Sequence, residues 1–201
     1  TSVGKNISFY DKDLKKYNLP KIININYKLF KDVDVIFTSL PNGESQKIAN
    51  KLLKKNIMID LSADFRLKNS KLYNKYYGIK HISLNNLKKS VYGLSEINKK
   101  NLSKAKIIAC PGCYPTSILL PLFPLIKKNL IDLKNIIIDS KSGFSGAGRG
   151  VHKKFKNKNL YGSTSAYGIG SHRHNAEIQQ ELSYIKKNIE FTFTPHILPM
   201  F

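Results

Sequence analysis

Lys106-Ile107-Ile108-Ala109-Cys110-Pro111-Gly112-Cys113-Tyr114-Pro115-Thr116-Ser117-Ile118-Leu119-Leu120 decides the fold of this chain. The run Lys106–Ala109 reads as a short buried strand, Pro111-Gly112 as a turn, and Ser117–Leu120 as the start of an apolar helix. Strand, turn and helix in that order place Cys113 at a helix N-terminus. Amide N–H groups without intrahelical partners and the positive end of the helix dipole favour an anion there. A thiol so placed loses its proton more readily than a free one. Cys113 is therefore the candidate nucleophile, set against the plainer reading of a small buried hydrophobe.

Working outward, the same alternation recurs. Asp32–Leu40 is an apolar strand stopped by Pro41-Asn42-Gly43, and a helix from Glu44 to Lys55 follows. Ile57–Leu61 is the next strand, with a loop at Ser62-Ala63-Asp64-Phe65-Arg66, a short helix over Leu72–Tyr77 and another over Glu96–Lys104. Strands alternating with helices predict a parallel α/β sheet, whose ligands bind at the carboxyl ends of strands. Leu40, Pro41, Ser62–Arg66 and Cys113 all fall at such ends. A possible short strand at Ile22–Ile25 is the only element expected in residues 1–30.

Beyond Cys113 the texture changes. The helix contains Pro121 and Pro124, which predicts a kink because Pro121 lacks the N–H owed to Ser117. Leu133–Ser142 is a strand, followed by the glycine-rich Gly143–Gly150. Residues 153–167 read as a long loop, Asn175–Lys187 as a helix and Ile189–Thr194 as a strand.

The chain has 201 residues, no apolar run long enough for a membrane span and no secretory signal pattern. It does not start with Met, which suggests that it begins inside a longer protein. Two cysteines exclude a disulfide framework and suit a reducing compartment, here the cytoplasm. The net charge of +21 invites a nucleic-acid reading, but only Arg66, Arg149 and Arg173 are arginine, against 31 lysines spread along the chain. Phosphate and base readers lean on the arginine fork, so no nucleic-acid or membrane partner is expected.

His172-Arg173-His174, with Glu177 three residues on, offers a general acid–base. In an extended segment the two histidines would share one side. A structural histidine pair is the alternative. A zinc set with the two cysteines carries little signal across 59 residues, so no metal is expected. Cys110-x-x-Cys113 also matches a thiol–disulfide motif, although a redox pair places its reactive cysteine first on the helix. The Ser142–Gly150 loop could bring amides to phosphate oxygens, and Arg66 and Arg149 could hold a phosphate.

With these pieces in place, the chain resembles the N-acetyl-gamma-glutamyl-phosphate reductases, NADPH-dependent enzymes of arginine biosynthesis. The matching stretches run in order through Leu40-Pro41-Asn42-Gly43, Ile59–Leu67, Tyr92-Gly93-Leu94, Pro111–Thr116, Ser142–Arg149, His172-Arg173-His174, Glu177-Ile178 and Phe193–His196. The resemblance implies an incomplete Rossmann-type parallel-sheet domain over 1–112, lacking its first βαβ unit, and a partial α+β catalytic and dimerisation domain of semialdehyde-dehydrogenase type over 113–201. It implies Cys113 as nucleophile and His172 or His174 as acid–base. Arg66, Ser62, Arg149 and Glu177 would bind the acyl-phosphate substrate. Leu40, Pro41, Ser145, Gly146, Ala147 and Gly148 would face NADP. The full-length enzyme is expected to be a homo-oligomer. No G-x-x-G-x-x-G turn is present, so this chain is expected to hold the dinucleotide poorly. A sister reductase acting on another acyl phosphate, as in aspartate-semialdehyde dehydrogenases, and a non-catalytic remnant are the alternatives.

Overall fold

The computed structural model describes residues 2–53, 55–147 and 162–200. Four strands, β1 (Val35–Thr38), β2 (Ile57–Asp60), β3 (Val91–Tyr92) and β4 (Ile107–Ala109), form one sheet in the order β1-β2-β4-β3, all parallel. Parallel neighbours need a crossover. Helix α1 (Ser45–Leu52) provides it between β1 and β2, while α2 (Ser70–Tyr77) and α3 (Leu84–Lys89) precede β3, and α4 (Ser95–Leu102) precedes β4. All four strands therefore end at one edge of the sheet. The parallel α/β expectation holds.

The second sheet has three strands in the order β5-β7-β6. β5 (Ile136–Gly143) runs parallel to β7 (Phe191–Leu198), and β6 (Ser165–Ala166) runs antiparallel to it. Between the sheets pack α5 (Cys113–Lys127) and α6 (His174–Ile185). Their apolar sides, with Ile118, Leu119, Ile178 and Leu182 buried, share one core with Tyr92 of β3 and Phe193 of β7. A separate core under the first sheet gathers Ile36, Leu52, Met58, Phe65 and Ile107.

Several expectations change in detail. Ile22–Ile25 forms no strand; residues 2–32 hold three short 3-10 turns and one isolated bridge, Asn6 to Lys21. β1 alternates exposed and buried residues, with Phe37 69% exposed, where an unbroken apolar run had suggested burial on both faces. Helix α5 carries both prolines inside its span, a placement that leaves the expected kink open, and Ile118, Leu119 and Ile126 from its length lie in one core. The long loop expected over 153–167 lies largely outside the described residues.

Candidate active site

The β2–α2 loop is organised by two buried carboxylates. Asp60 accepts from the Thr38 hydroxyl (2.7 Å), the Ser45 hydroxyl (2.8 Å) and both the amide (3.2 Å) and hydroxyl (2.8 Å) of Ser62. Asp64 accepts from the amides of Gly43 (2.7 Å) and Gln46 (3.0 Å) at the start of α1, and from the Tyr73 hydroxyl (2.6 Å). Ser62, expected to meet substrate, is buried, and its hydroxyl is held by Asp60.

These carboxylates fix the loop that delivers Arg66 to the foot of the β4–α5 turn. Its Nε donates to the carbonyl of Cys110 (2.7 Å) and Nη2 to that of Leu61 (3.0 Å), while Nη1 lies 3.5 Å from Glu177 Oε2. The Gln180 side chain clamps the same loop, accepting from the Lys68 amide (2.7 Å) and donating to the Arg66 carbonyl (2.9 Å).

At the turn, Gly112 is extended (φ −66°, ψ 157°) and caps α5 without offering a side chain. The amides of Cys113 and Tyr114 therefore gain no side-chain cap, and Pro115 has no N–H to satisfy. Cys113 opens the helix and is exposed, whereas Cys110 sits half-buried at the strand end. Burial pushes the Cys110 thiol up, against the lowering influence of Arg66. With Gly112 extended and only the second cysteine on the helix, the pair lacks the helical C-x-x-C arrangement of redox motifs.

His172 and His174 do meet here, but not through an extended segment. Gly168 accepts the amides of Ser171 and His172 in a turn, and α6 begins at His174. The two rings pack edge to face at 4.8 Å, beside Tyr114 and Phe193. His174 is buried against Gly112: a Cβ built on that glycine would lie 2.6 Å from His174 Nε2 and 3.1 Å from Arg66 Nη1. His172 Nδ1 accepts from the His174 amide (3.1 Å), so a neutral His172 carries its proton on Nε2. Among the described residues His174 Nδ1 has no hydrogen-bond partner. Burial, then Arg173, lowers His172 to about 4. Burial, then His172, Arg66 and Arg173, lowers His174 to about 3. Both rings are neutral at pH 7, and burial and the neighbouring positive charges oppose their protonation.

Glu177, on the same helix face as His174, is fully buried and takes the Gly112 amide (2.8 Å) and the Tyr92 hydroxyl (2.7 Å) on Oε1. Sequence reasoning missed Tyr92, Gln180 and the Tyr114–Tyr167 hydroxyl pair (3.0 Å). The Tyr92-Gly93-Leu94 stretch and the i+3 spacing from Glu177 to Gln180 were the available signals.

A nicotinamide cofactor can be tested against the residues expected to face it. Leu40 and Pro41 are exposed just past β1, and Ser145 and Gly146 are exposed in the 3-10 turn Phe144–Ala147. A Cβ at Gly146 would meet Ser142 Oγ, a hydroxyl that can rotate away, so the packing there does not by itself demand glycine. Leu40, Pro41 and Gly146 thus offer apolar side chains and bare backbone to solvent. The start of α1 does not fit the diphosphate, because Asp64 already takes its amides. Gly148 and Arg149 lie outside the described residues, as does the side chain of Ala147.

Comparison with known proteins agrees with this architecture. Residues 1–105 match the family described as "Semialdehyde dehydrogenase, NAD binding domain", and residues 113–201 match "Semialdehyde dehydrogenase, dimerisation domain". The Arabidopsis thaliana protein named "Probable N-acetyl-gamma-glutamyl-phosphate reductase, chloroplastic" is 45% identical over 93% of this chain and 47% of its own length. The Clostridium beijerinckii N-acetyl-gamma-glutamyl-phosphate reductase is 46% identical over 98% of this chain and 58% of its own. The chain thus spans about half the length of the curated relatives it matches. Among solved structures, aspartate semialdehyde dehydrogenase II of Vibrio cholerae shares the fold, with a TM-score of 0.50 and 17% identity over 86% of this chain and 49% of that one. Two family matches covering both halves, together with relatives of this identity, show that the chain belongs to the semialdehyde dehydrogenase family and is akin to its N-acetyl-gamma-glutamyl-phosphate reductases.

Proposed function

We propose that this chain carries the thiol centre of an NADPH-dependent reductase that converts N-acetyl-L-glutamyl 5-phosphate to N-acetyl-L-glutamate 5-semialdehyde and phosphate. The observation that carries the reading is Cys113 on an uncapped helix start, next to the glycine against which His174 is packed. Nε2 of the neutral His174 accepts the thiol proton, and the sulfur attacks the acyl carbon. The bond from that carbon to the phosphate oxygen breaks, phosphate leaves, and a thioester remains on Cys113. The amides of Cys113 and Tyr114 face the negative charge that gathers on the carbonyl oxygen. Arg66 contributes positive charge from beneath Gly112 for the substrate phosphate. A bound nicotinamide supplies the hydride that reduces the thioester. The protonated histidine quenches the oxyanion, and as the carbon–sulfur bond breaks that hydroxyl proton passes to the sulfur, which restores the Cys113 thiol and frees the aldehyde.

NADP over NAD rests on the sequence resemblance, as do the homo-oligomer and the division at Gly112/Cys113, and the cytoplasmic setting rests on the two free cysteines. No described helix is long and apolar enough to cross a membrane. The test is to mix the full-length protein with the acyl phosphate and no cofactor. One equivalent of phosphate should appear with an acyl adduct on Cys113. Turnover with β-aspartyl phosphate alone, or phosphate release without the adduct, would refute the assignment.

A further inference from the structure

We propose that Tyr92 is a positioning residue for Cys113, acting through Glu177 on the amide of Gly112. The inference rests on the reading of Cys113 as the acylated thiol. Four separate elements meet at this point: Tyr92 from β3, Glu177 from α6, Gly112 from the β4–α5 turn and Arg66 from the loop after β2. Oε1 of Glu177 takes two donors, the Tyr92 hydroxyl at 2.7 Å and the Gly112 amide at 2.8 Å. Among the described residues Oε2 takes no hydrogen bond, and the Arg66 guanidinium lies 3.5 Å from it. The carboxylate is thus contested. Arg66 draws it one way, and the tyrosine hydroxyl holds it against the helix start.

Tyr92 is well placed to do this. Its ring is buried in the core shared by α5 and α6. The backbone is pinned on both sides, because Asn98 donates to its carbonyl (3.0 Å) and the Gly93 amide donates to Ala109 (2.8 Å). A Cβ on Gly93 would stand only 3.0 Å from the Ala109 carbonyl oxygen, so glycine is what lets β3 lie this close to β4. Burial, followed by the Glu177 charge, raises the Tyr92 hydroxyl far above its ordinary range and keeps it a donor. Without it the carboxylate turns toward Arg66 and releases Gly112, and with Gly112 the next residue, Cys113, loses its register against His174.

Tyr92→Phe in the full-length protein removes one oxygen atom and nothing else. Hydrogen exchange at the Gly112 amide should speed up at least tenfold, while the amides of Ile107–Ala109 stay within about twofold. The kcat for the acyl phosphate should fall about tenfold with KM within about twofold, the scale expected for one hydrogen bond to a charged group. Unchanged exchange at Gly112 overturns the proposal, as does faster exchange without a loss of kcat, or a loss confined to KM. Should Tyr92→Phe not fold, Glu177→Ala carries the test: Gly112 must then exchange at least tenfold faster with Tyr92 intact, and retained protection overturns it. The exchange measurement needs no turnover, so a wild-type protein that fails to reduce the acyl phosphate refutes the functional reading separately.

Discussion

Replacing Gly112 by alanine adds one methyl group at the tightest point of the site. The backbone there, φ −66° and ψ 157°, is ordinary for any residue, so the whole effect is one of packing. The new carbon would stand 2.6 Å from His174 Nε2, 2.9 Å from its Cε1 and 3.1 Å from Arg66 Nη1. Restoring an ordinary contact of 3.4 Å requires the imidazole to retreat by about 0.8 Å. It has little room, since its ring packs against His172 at 4.8 Å and Tyr114 at 5.9 Å. Overpacking of this kind costs ~1–3 kcal/mol. In a chain of this size each of those kcal/mol lowers Tm by about 2–4 °C. A reacting group misplaced by about 1 Å loses roughly 10²-fold in rate. Gly112→Ala should therefore lose about two orders of magnitude in kcat while melting only several degrees early, measured by acyl-phosphate turnover and thermal unfolding of the full-length protein. A variant with wild-type kcat would mean that His174 does not work at the position it occupies beside Gly112.

Two further outcomes follow from the same geometry. Cys113→Ser should abolish reduction, whereas Cys110→Ser should keep most of it, because only Cys113 starts the helix; equal losses in both, by initial rates, would point back to a redox pair. The pH dependence of Tm should fall on both sides. His172 and His174 are held well below the ordinary histidine value, so the unfolded chain binds protons more readily than the fold. Their contribution is complete above about pH 6.5 and is lost as pH drops toward 4 and then 3. Glu181, facing Lys68, Glu177 and Gln180, is raised by burial from 4.5 to about 7, so the fold binds the extra proton and stability declines as pH rises between those values. Glu181→Gln should flatten that upper slope in a pH series of melting curves, and a slope that persists would assign it elsewhere.

The parts of the fold carried by local pattern were legible in the sequence. Apolar runs ending in turn residues located β1, β2 and β4, and the strand–Pro-Gly–helix order placed Cys113 correctly. Elements held by tertiary contact were not legible. β3 is two residues long, too short for a pattern to show, and is defined by its pairing with β4, beside which Gly93 packs closely. Helix α3 has six residues and a single buried one, Leu87, too little for a period to show. At the site, residue types pointed to the histidines and Arg66, but their arrangement depends on long-range bonds. Arg66 is spent on the carbonyls of Cys110 and Leu61, 44 and 5 residues away in sequence. His172 and His174 come together through a turn closed on Gly168 rather than by alternation along a strand.

The carboxylate of Asp64 has a consequence for where a phosphate can settle. Two helix starts, those of α1 and α5, open on the same edge of the first sheet, and each would attract an anion by its free amides. The first is plugged from within, since Asp64 lies on the amides of Gly43 and Gln46. At the second, Glu177 takes the Gly112 amide from below, while the amides of Cys113 and Tyr114 gain no cap from the side chain of the N-cap residue, which is glycine. An incoming anion therefore meets one helix start whose amides Asp64 holds and one whose first-turn amides carry no such cap, and the second has a thiol at its mouth. Selection between equivalent docking points is thus made by an acid the protein keeps for itself, before any group of the ligand has been read.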